Sequence, residues 1–378
     1  MQIDPARLRT AVVHEWFVNY AGSERVVEQL LHLYPASDLF ALVDFLSPAE
    51  RGYLMHKAVR TSFIQHLPLA RRRFRNYLPL FPMAVEQFDL RDYDVVLSSS
   101  HAVAKGALTG SEQLHICYCH SPMRYVWDLY PQYLRQTGLH RGVRGLAAQR
   151  VLHGVRRWDY LSANRPDHYV ANSHYIARRI RKHYGRPADV VYPPVDVARF
   201  PLHTKKEDFY FTSSRMVPYK QNDLIVAAFA RMPDKRLIMA GDGPELAKIR
   251  RRATPNVELR PYLPADELRD LMQRARAFLF AAEEDFGITL VEAQACGTPV
   301  IAFGRGGAGE TVRDGETGVL FAEQTPAAMA AAVRRFEGLD FEPYAVHEHA
   351  QSFGQERFRR EMKQLVADKI EQFNALRS

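Results

Sequence analysis

Apolar residues in the first half of the chain fall into short unbroken runs, separated by stretches in which they recur every three or four positions. Thr10-Ala11-Val12-Val13-His14 is one such run and reads as a buried strand. After a loop holding Gly22, the residues Val26, Val27, Leu30 and Leu31 return at helical spacing. Residues 93–97, 114–118 and Tyr169-Val170-Ala171 give further short runs with helical stretches between them, as expected of a parallel sheet buried on both faces. The first half is therefore α/β.

Tyr192-Pro193-Pro194-Val195-Asp196 interrupts the pattern, because two prolines cannot continue a helix, and the polar stretch 201–208 follows it. A linker is expected there. A second α/β series begins with apolar runs at 209–212, 236–240, 257–259, 277–281 and 299–303, each followed by a turn or a helix-like segment. Two parallel-sheet domains result, 1–195 and 205–355. In the closing stretch 356–373, Phe358, Met362, Leu365, Val366 and Ile370 share one helical face, which needs a surface to pack on.

A chain of 378 residues, 47% hydrophobic and 25% charged, holds enough material for two cores and has the balance of a folded globular protein. No run approaches the roughly 20 apolar residues of a membrane span. Asp4 and the lack of an apolar run before Ala11 do not suggest a signal peptide, so a cytoplasmic location is expected. Cys117 and Cys119 alternate along a strand and Cys296 stands apart, which gives no metal-ligand spacing and reads as reduced thiols.

The net charge of +8 is unevenly placed: residues 1–200 hold 26 Lys/Arg against 17 Asp/Glu, and residues 201–378 hold 25 against 26. Its densest parts are Arg71-Arg72-Arg73-Phe74-Arg75 and Arg178-Arg179-Ile180-Arg181-Lys182. Such segments suit either an anionic membrane surface and phosphorylated lipid, or a solvated helix face. No aromatic RNA-binding motif or zinc-finger spacing accompanies them, so nucleic acid is not an expected partner.

Chemistry concentrates between the run at 277–281 and a helix expected from Ile288. There Gly287 and Ile288 offer backbone N–H groups at a helix N-terminus, a place that suits a pyrophosphate. Glu284 stands at its mouth, and Glu292 lies about a turn inside, where a carboxylate can accept two hydrogen bonds from vicinal ribose hydroxyls. Glu284 and Glu292, with Phe286-Gly287 between them and Ala293-Gln294-Ala295-Cys296-Gly297-Thr298-Pro299-Val300-Ile301 after them, resemble the E-x7-E signature of family 4 retaining glycosyltransferases.

The resemblance extends over nearly the whole chain. It implies the GT-B fold: two Rossmann-like domains facing a cleft, with the C-terminal helix crossing back to the first. By the same resemblance Glu284 holds the donor sugar's hydroxyls and Glu292 the nucleotide ribose, while Asp285, Phe286, Gly287, Ile288 and Thr289 line the donor. Asp285 stands where the family commonly has glycine.

Arg215-Met216-Val217-Pro218-Tyr219-Lys220 resembles the R-x4-K pair that neutralises the donor diphosphate. Sugar transfer leaves negative charge on that diphosphate, so fixed cations favour the transition state over the ground state. Gly241-Asp242-Gly243-Pro244 resembles the family's G-D-G-P turn and is expected to serve architecture. Tyr262, in Arg260-Pro261-Tyr262, sits where the family holds the nucleobase, and reads as either a base contact or a core-edge tyrosine.

In the first domain, Cys119-His120-Ser121-Pro122-Met123-Arg124-Tyr125-Val126-Trp127-Asp128 resembles the H-S/T-P-M-R-Y-x-W-D stretch of bacterial polysaccharide mannosyltransferases. This implies that His120 points at the donor sugar and that Arg124 shapes the acceptor or donor pocket. Gly22-Ser23-Glu24-Arg25 resembles the family's first glycine loop, set against the diphosphate, and Asn172-Ser173 places Ser173 along the cleft. Two other motifs are set aside. Gly304-Arg305-Gly306-Gly307-Ala308-Gly309 fits G-x-G-x-x-G but follows the last expected strand, and Gly306, Gly307 and Glu310 fit the family's G-G-x-x-E turn instead. Asp92-Tyr93-Asp94 leads into a strand, and no metal or other cofactor is expected.

The resemblance thus points to GDP-mannose as donor and a polyprenyl-diphosphate-linked glycan as acceptor, in surface polysaccharide synthesis such as that of lipopolysaccharide. The basic first domain would let the enzyme work at the inner face of the cytoplasmic membrane. Two alternatives keep the fold: a transferase using a UDP-sugar, GDP-fucose or a rhamnose donor, and a non-catalytic sugar-nucleotide-binding scaffold. An NAD-dependent oxidoreductase is a third, from another class.

Overall fold

The computed structural model describes residues 7–377. It divides into two compact units, one running to Pro193 and resuming at Phe358, the other formed by Pro194–Arg357.

The first unit holds β1 (Thr10–Phe17), β2 (Asp38–Asp44), β3 (Val59–Thr61), β4 (Val95–Ser100), β5 (Leu114–Cys119), β6 (His168–Ala171) and β7 (Asp189–Val190). They form one sheet in the order β3-β2-β1-β4-β5-β6-β7, every pair parallel. Helix α1 (Gly22–Leu33) follows β1, and α2 (Gly142–Ser162) and α3 (His174–Tyr184) flank β6 in the chain. On one face Val26, Val27, Leu30 and Leu31 of α1 pack with Val12, Leu97 and Ile116; on the other, Ala11, Val13 and Val96 pack with Phe74, Phe81 and Val85. Burial on both faces is what makes these strands unbroken apolar runs.

The second unit holds β8 (Tyr210–Ser213), β9 (Leu237–Ala240), β10 (Val257–Arg260), β11 (Ala277–Phe280), β12 (Val300–Phe303) and β13 (Gly318–Phe321), in the order β10-β9-β8-β11-β12-β13, again all parallel. Helix α4 (Ile288–Ala295) follows β11. The last helix, α5 (Gln355–Ala375), begins in this unit and from Phe358 onward belongs to the first. Its Phe358, Met362, Val366 and Ile370 are buried with α1 and β1 residues. Four such side chains contribute about 1.5–3 kcal/mol each, before chain entropy is subtracted. The apolar stripe in 356–373 has found its surface.

Both units have Rossmann-like sheets, and each reverses direction once along its strand order. The reversal falls between β1 and β4 in the first and between β8 and β11 in the second. Ligands of open parallel sheets gather outside the carboxyl ends of the strands at such switch points.

Several elements depart from the sequence expectation. β1 continues three residues beyond the apolar run, carrying His14 and Glu15 into the interior. β2, β3, β7 and β13 are additional strands. β13 matters most, because it places Gly304–Gly309 between β12 and β13, rather than after the last strand.

Candidate functional site

In the second unit the side chains of interest follow the two strands at the switch point. Beyond β8 the chain makes a loop and a short turn, Pro218–Lys220; beyond β11 it runs through Glu283, Glu284, Asp285 and Phe286 to Gly287. Lys220 Nζ lies 2.6 Å from Glu284 Oε1, both side chains being about one-fifth exposed. The ammonium also sits 5.5 Å from the Phe280 ring centroid and 5.6 Å from that of Tyr219, which fixes its position on three sides.

Gly287 caps α4 with a φ of +86°, a left-handed conformation that glycine adopts without strain. The first N–H groups of α4 have no acceptor within the helix. Glu292 follows one turn later and is buried, while Asp285, Ile288 and Thr289 are partly exposed and Phe286 is buried against Phe353.

The shape of this acid loop depends on two other glycines. Gly306 forms a parallel bridge with Glu284, and Gly307 N–H donates to the Glu284 carbonyl at 2.7 Å. A Cβ on Gly306 would come within 2.3 Å of the Glu284 carbonyl oxygen, and one on Gly307 within 2.2 Å of Phe286 Cα. The stretch set aside as an incidental G-x-G-x-x-G is the brace of the acid loop. Gly241 and Gly243 brace the β8 loop in the same manner: a Cβ on Gly241 would come within 2.0 Å of the Ser214 carbonyl oxygen, and Met216 N–H donates to Asp242 O at 2.8 Å. Arg215 extends from that loop into solvent.

Tyr262 stands apart. It follows β10, at the edge of the sheet, three strand spacings or about 14 Å from β11. At 83% exposed it is no core-edge tyrosine.

In the first unit the carboxyl ends of β1, β4 and β5 meet in a cluster of titratable groups. Glu15 is fully buried and accepts from the backbone N–H groups of His101, Ala102 and Ala104 at 3.1, 2.7 and 3.1 Å, and from Ser100 Oγ at 3.1 Å. Burial raises its pKa, but His101, His14 and these amides outweigh that and hold it below the usual range. His120 Nε2 lies 2.8 Å from Ser99 Oγ, and its carbonyl accepts from Asn172 Nδ2 at 3.0 Å. Burial, followed by the neighbouring charges of His101 and His14, pushes the pKa of His120 down to about 3.

Gly22 opens α1 beside this cluster, and Arg124 is partly buried in the loop after β5. Ser173 departs from its expected place on a ligand surface: it is fully buried, and its hydroxyl caps α3 by accepting from Ile176 N–H at 3.1 Å.

The rest of the His120 segment is anchored to α2 and α3. Trp127 Nε1 donates to the buried Asp159 at 2.7 Å, which also takes Lys105 Nζ at 2.5 Å and Tyr184 OH at 3.0 Å. Asp128 pairs with Arg179 and with His183 at 2.9 Å. Arg179 also donates to Ser121 Oγ at 2.9 Å and is buried. It therefore leaves the basic surface expected of residues 178–182, whereas Arg178, Arg181 and Lys182 remain exposed. Arg71, Arg72, Arg73 and Arg75 are exposed as well. Among the described residues no group of three His, Cys, Asp or Glu is arranged to hold a metal ion.

Residues 196–356 match the family described as glycosyl transferases group 1, and residues 20–199 match glycosyltransferase family 4. The chain belongs to the group 1/family 4 superfamily of GT-B glycosyltransferases. Among curated relatives, the D-inositol 3-phosphate glycosyltransferase of Mycobacterium avium is 33% identical over 41% of this chain and 43% of its own length. The protein of that name from Streptomyces bingchenggensis is 29% identical over 56% of this chain and 55% of its own. The matches thus span about half the length of these relatives.

Solved structures agree on the fold. Sucrose-phosphate synthase of Thermosynechococcus elongatus superposes with a TM-score of 0.70 at 20% identity, covering 97% of this chain and all of its own. Anabaena HepE, solved with UDP and glucose, gives 0.67 at 18%, covering 96% of this chain and all of its own. Against this GT-B background, the residues that sequence reasoning missed are His14, Glu15, Ser99 and His101. A signal for them existed: a His-Glu pair extending an apolar run, and three serines ending a buried strand, whose hydroxyls meet His115, His120 and Glu15.

Proposed function

We propose that the protein is a retaining glycosyltransferase that moves mannose from GDP-mannose to a glycan carried on a polyprenyl diphosphate, in surface polysaccharide synthesis. The observation that carries this reading is the 2.6 Å contact between Lys220 and Glu284, formed across the β8/β11 switch point beside the start of α4. In the reaction the acceptor hydroxyl oxygen bonds to the anomeric carbon on the face from which the diphosphate oxygen departs. The acceptor's proton passes to that departing diphosphate. Lys220 and Arg215 stabilise its growing charge, amides at the α4 terminus share the load, and Glu284 holds the sugar's hydroxyls. Glu292 takes the ribose. His120 and Arg124 act from the first unit on sugar and acceptor.

The mannosyl assignment draws on the His120–Asp128 segment. The name of the mycobacterial relative supports a phosphorylated acceptor. HepE, crystallised with UDP and glucose, supports a nucleotide sugar as donor class, and it also favours a second reading in which the donor is a UDP-sugar.

A membrane-bound acceptor calls for a surface that meets lipid, and α2 has the required chemistry. Val143 and Leu146, 86% and 70% exposed, share one helical face with Arg150, Arg157 and the exposed Leu161, and the helix's only acid, Asp159, is buried. No described helix is long and apolar enough to cross a membrane. On this reading the protein works as a peripheral enzyme at the cytoplasmic face of the membrane.

Thermal shift and sugar-nucleotide hydrolysis with GDP-mannose, UDP-glucose and UDP-N-acetylglucosamine test the donor. A response to GDP-mannose alone supports the first reading, and a response to a UDP-sugar alone transfers support to the second. Silence toward all three sinks both.

A further inference from the structure

Between the glycine loop and His120, the first unit places a fully buried histidine that the chemistry above does not use. His14 Nδ1 lies 2.9 Å from the Ser99 carbonyl oxygen, and Nε2 lies 3.4 Å from Glu24 Oε1. A carbonyl oxygen can only accept, so Nδ1 carries a proton. The other oxygen of Glu24 accepts Ala21 N–H at 3.1 Å and Ser23 Oγ at 3.0 Å, bonds that favour the ionised carboxylate, and its pKa is held down to about 2. A carboxylate also only accepts, so Nε2 carries a proton too. With both ring nitrogens facing acceptors and the pKa of the ring raised, this environment favours His14 as a buried imidazolium.

We infer that His14 and Glu24 are positioning residues that join the glycine loop at Gly22 to His120: Glu24 caps the loop, His14 holds the Ser99 carbonyl, and the Ser99 hydroxyl holds His120. The inference rests on the reading of His120 as a group that meets the donor sugar. Burial does most to keep the His120 ring neutral, and the charges of His101 and His14 add to it, which leaves that ring able to exchange hydrogen bonds with sugar hydroxyls.

The surrounding groups are consistent with this. Glu15 Oε2 is 3.9 Å from His14 Nδ1, and the His101 ring is 6.0 Å from that of His14 and 6.3 Å from that of His120. Tyr53 faces Glu24, and Arg75 acts on His101. Burial lowers the pKa of His14, yet Glu24 and Glu15, with the Ser99 carbonyl, bring it net upward; His101 moves down under burial. Glu24 is held down to about 2, because the hydrogen bond and charge of His14 outweigh its burial.

Glu24→Gln keeps the size of the side chain and an oxygen for the cap, but removes the charge that holds His14 protonated. In the full-length protein labelled with 15N-histidine, His14 is expected to show two protonated ring nitrogens at pH 7.5. In Glu24→Gln it should become neutral, and the titration of His120 should move upward. In transfer assays the variant should lose about tenfold in kcat with the donor KM within about twofold, and the acid limb of its pH profile should shift toward neutrality.

A neutral His14 in the parent protein overturns the inference, and so does a His120 titration that ignores Glu24→Gln. His120→Ala separates the two readings. If it leaves transfer untouched while both histidine signals respond to Glu24→Gln, the pair stands and the role assigned to His120 falls.

Discussion

Both units break their strand order beside a first strand that feeds a helix, yet they fill the two switch points differently. In the first, an internal carboxylate, Glu15, takes the backbone amides after β4, and the neighbouring pair His14–Glu24 is sealed in the interior. In the second, the charged pair Lys220–Glu284 stays within reach of solvent, and glycines do the bracing. A Rossmann-like sheet offers the same place twice. One copy spends it on internal order, and the other presents it to an anionic ligand. Loss of the Glu15 charge should therefore cost mainly stability, and loss of the Lys220 or Glu284 charge mainly turnover.

The sharpest test lies in the second unit. Lys220→Ala and Glu284→Gln are expected to lower kcat by about 10²–10³-fold, the usual scale for removing a group that stabilises transition-state charge. Because the pair is partly solvated, urea unfolding should change by no more than about 1 kcal/mol. A large stability loss with turnover preserved would reverse the contrast. Glu15→Gln asks the opposite question. It leaves three amides and a hydroxyl facing a weaker acceptor and should cost about 1–3 kcal/mol in unfolding free energy, concentrated in the first unit.

Acidification extends the same contrast. The unfolded chain binds a proton at His120 near pH 6.5, but the folded protein does not until about 3, so each step down between those values favours unfolding. His101 adds in the same direction. Glu24, held near 2, and the depressed Glu15 give stability that is complete above the ordinary Glu range and fades as pH falls toward their folded values. The raised pKa of His14 gives stability already complete below 6.5 and lost as pH rises through the folded value, so it does not offset the acid loss. Between pH 6.5 and 4, hydrogen exchange in β1, β4 and β5 should report a loss of about 3 kcal/mol, the scale of 2.5 pH units at His120. An equal or larger loss in β8 and β11 would break the comparison.

Much of this organisation is readable in the chain, for a physical reason. Strands buried on both faces must be apolar throughout, so 114–118 and 277–281 announce themselves, and Phe286-Gly287-Ile288 marks a strand-turn-helix junction by its glycine. Legibility fails where one position answers two demands. His14 and Glu15 look like the end of a strand because a buried charge is expected only with partners, and those partners lie 10 and 85–89 residues away. Arg179 looks like surface charge until Asp128 and Ser121 fold over it. Gly306 and Gly307 fit a dinucleotide motif, but only their contact with Glu284 and Phe286 shows why no side chain is tolerated. Asp38–Asp44 is missed although five consecutive residues within it are buried, since its flanking acids suggest a helix or loop as readily as a strand.

The smallest effect concerns α2, where charge is again exposed but now within the first unit. If that helix meets an anionic bilayer, each arginine near the surface contributes about 1 kcal/mol, so Arg150→Ala should weaken binding to phosphatidylglycerol-containing vesicles about fivefold. Binding to neutral phosphatidylcholine vesicles should be weak for parent and variant alike, and 0.5 M salt should erase the difference by screening. Leu146→Ser tests the apolar half of the contact, since a side chain already 70% exposed has little folded-state packing to lose. Vesicle affinity should fall while turnover on a soluble acceptor analogue stays within about twofold. Equal affinity in both variants would leave α2 as an ordinary solvated helix, and the first unit's exposed charge would then have to act through Arg71, Arg72 and Arg73 instead.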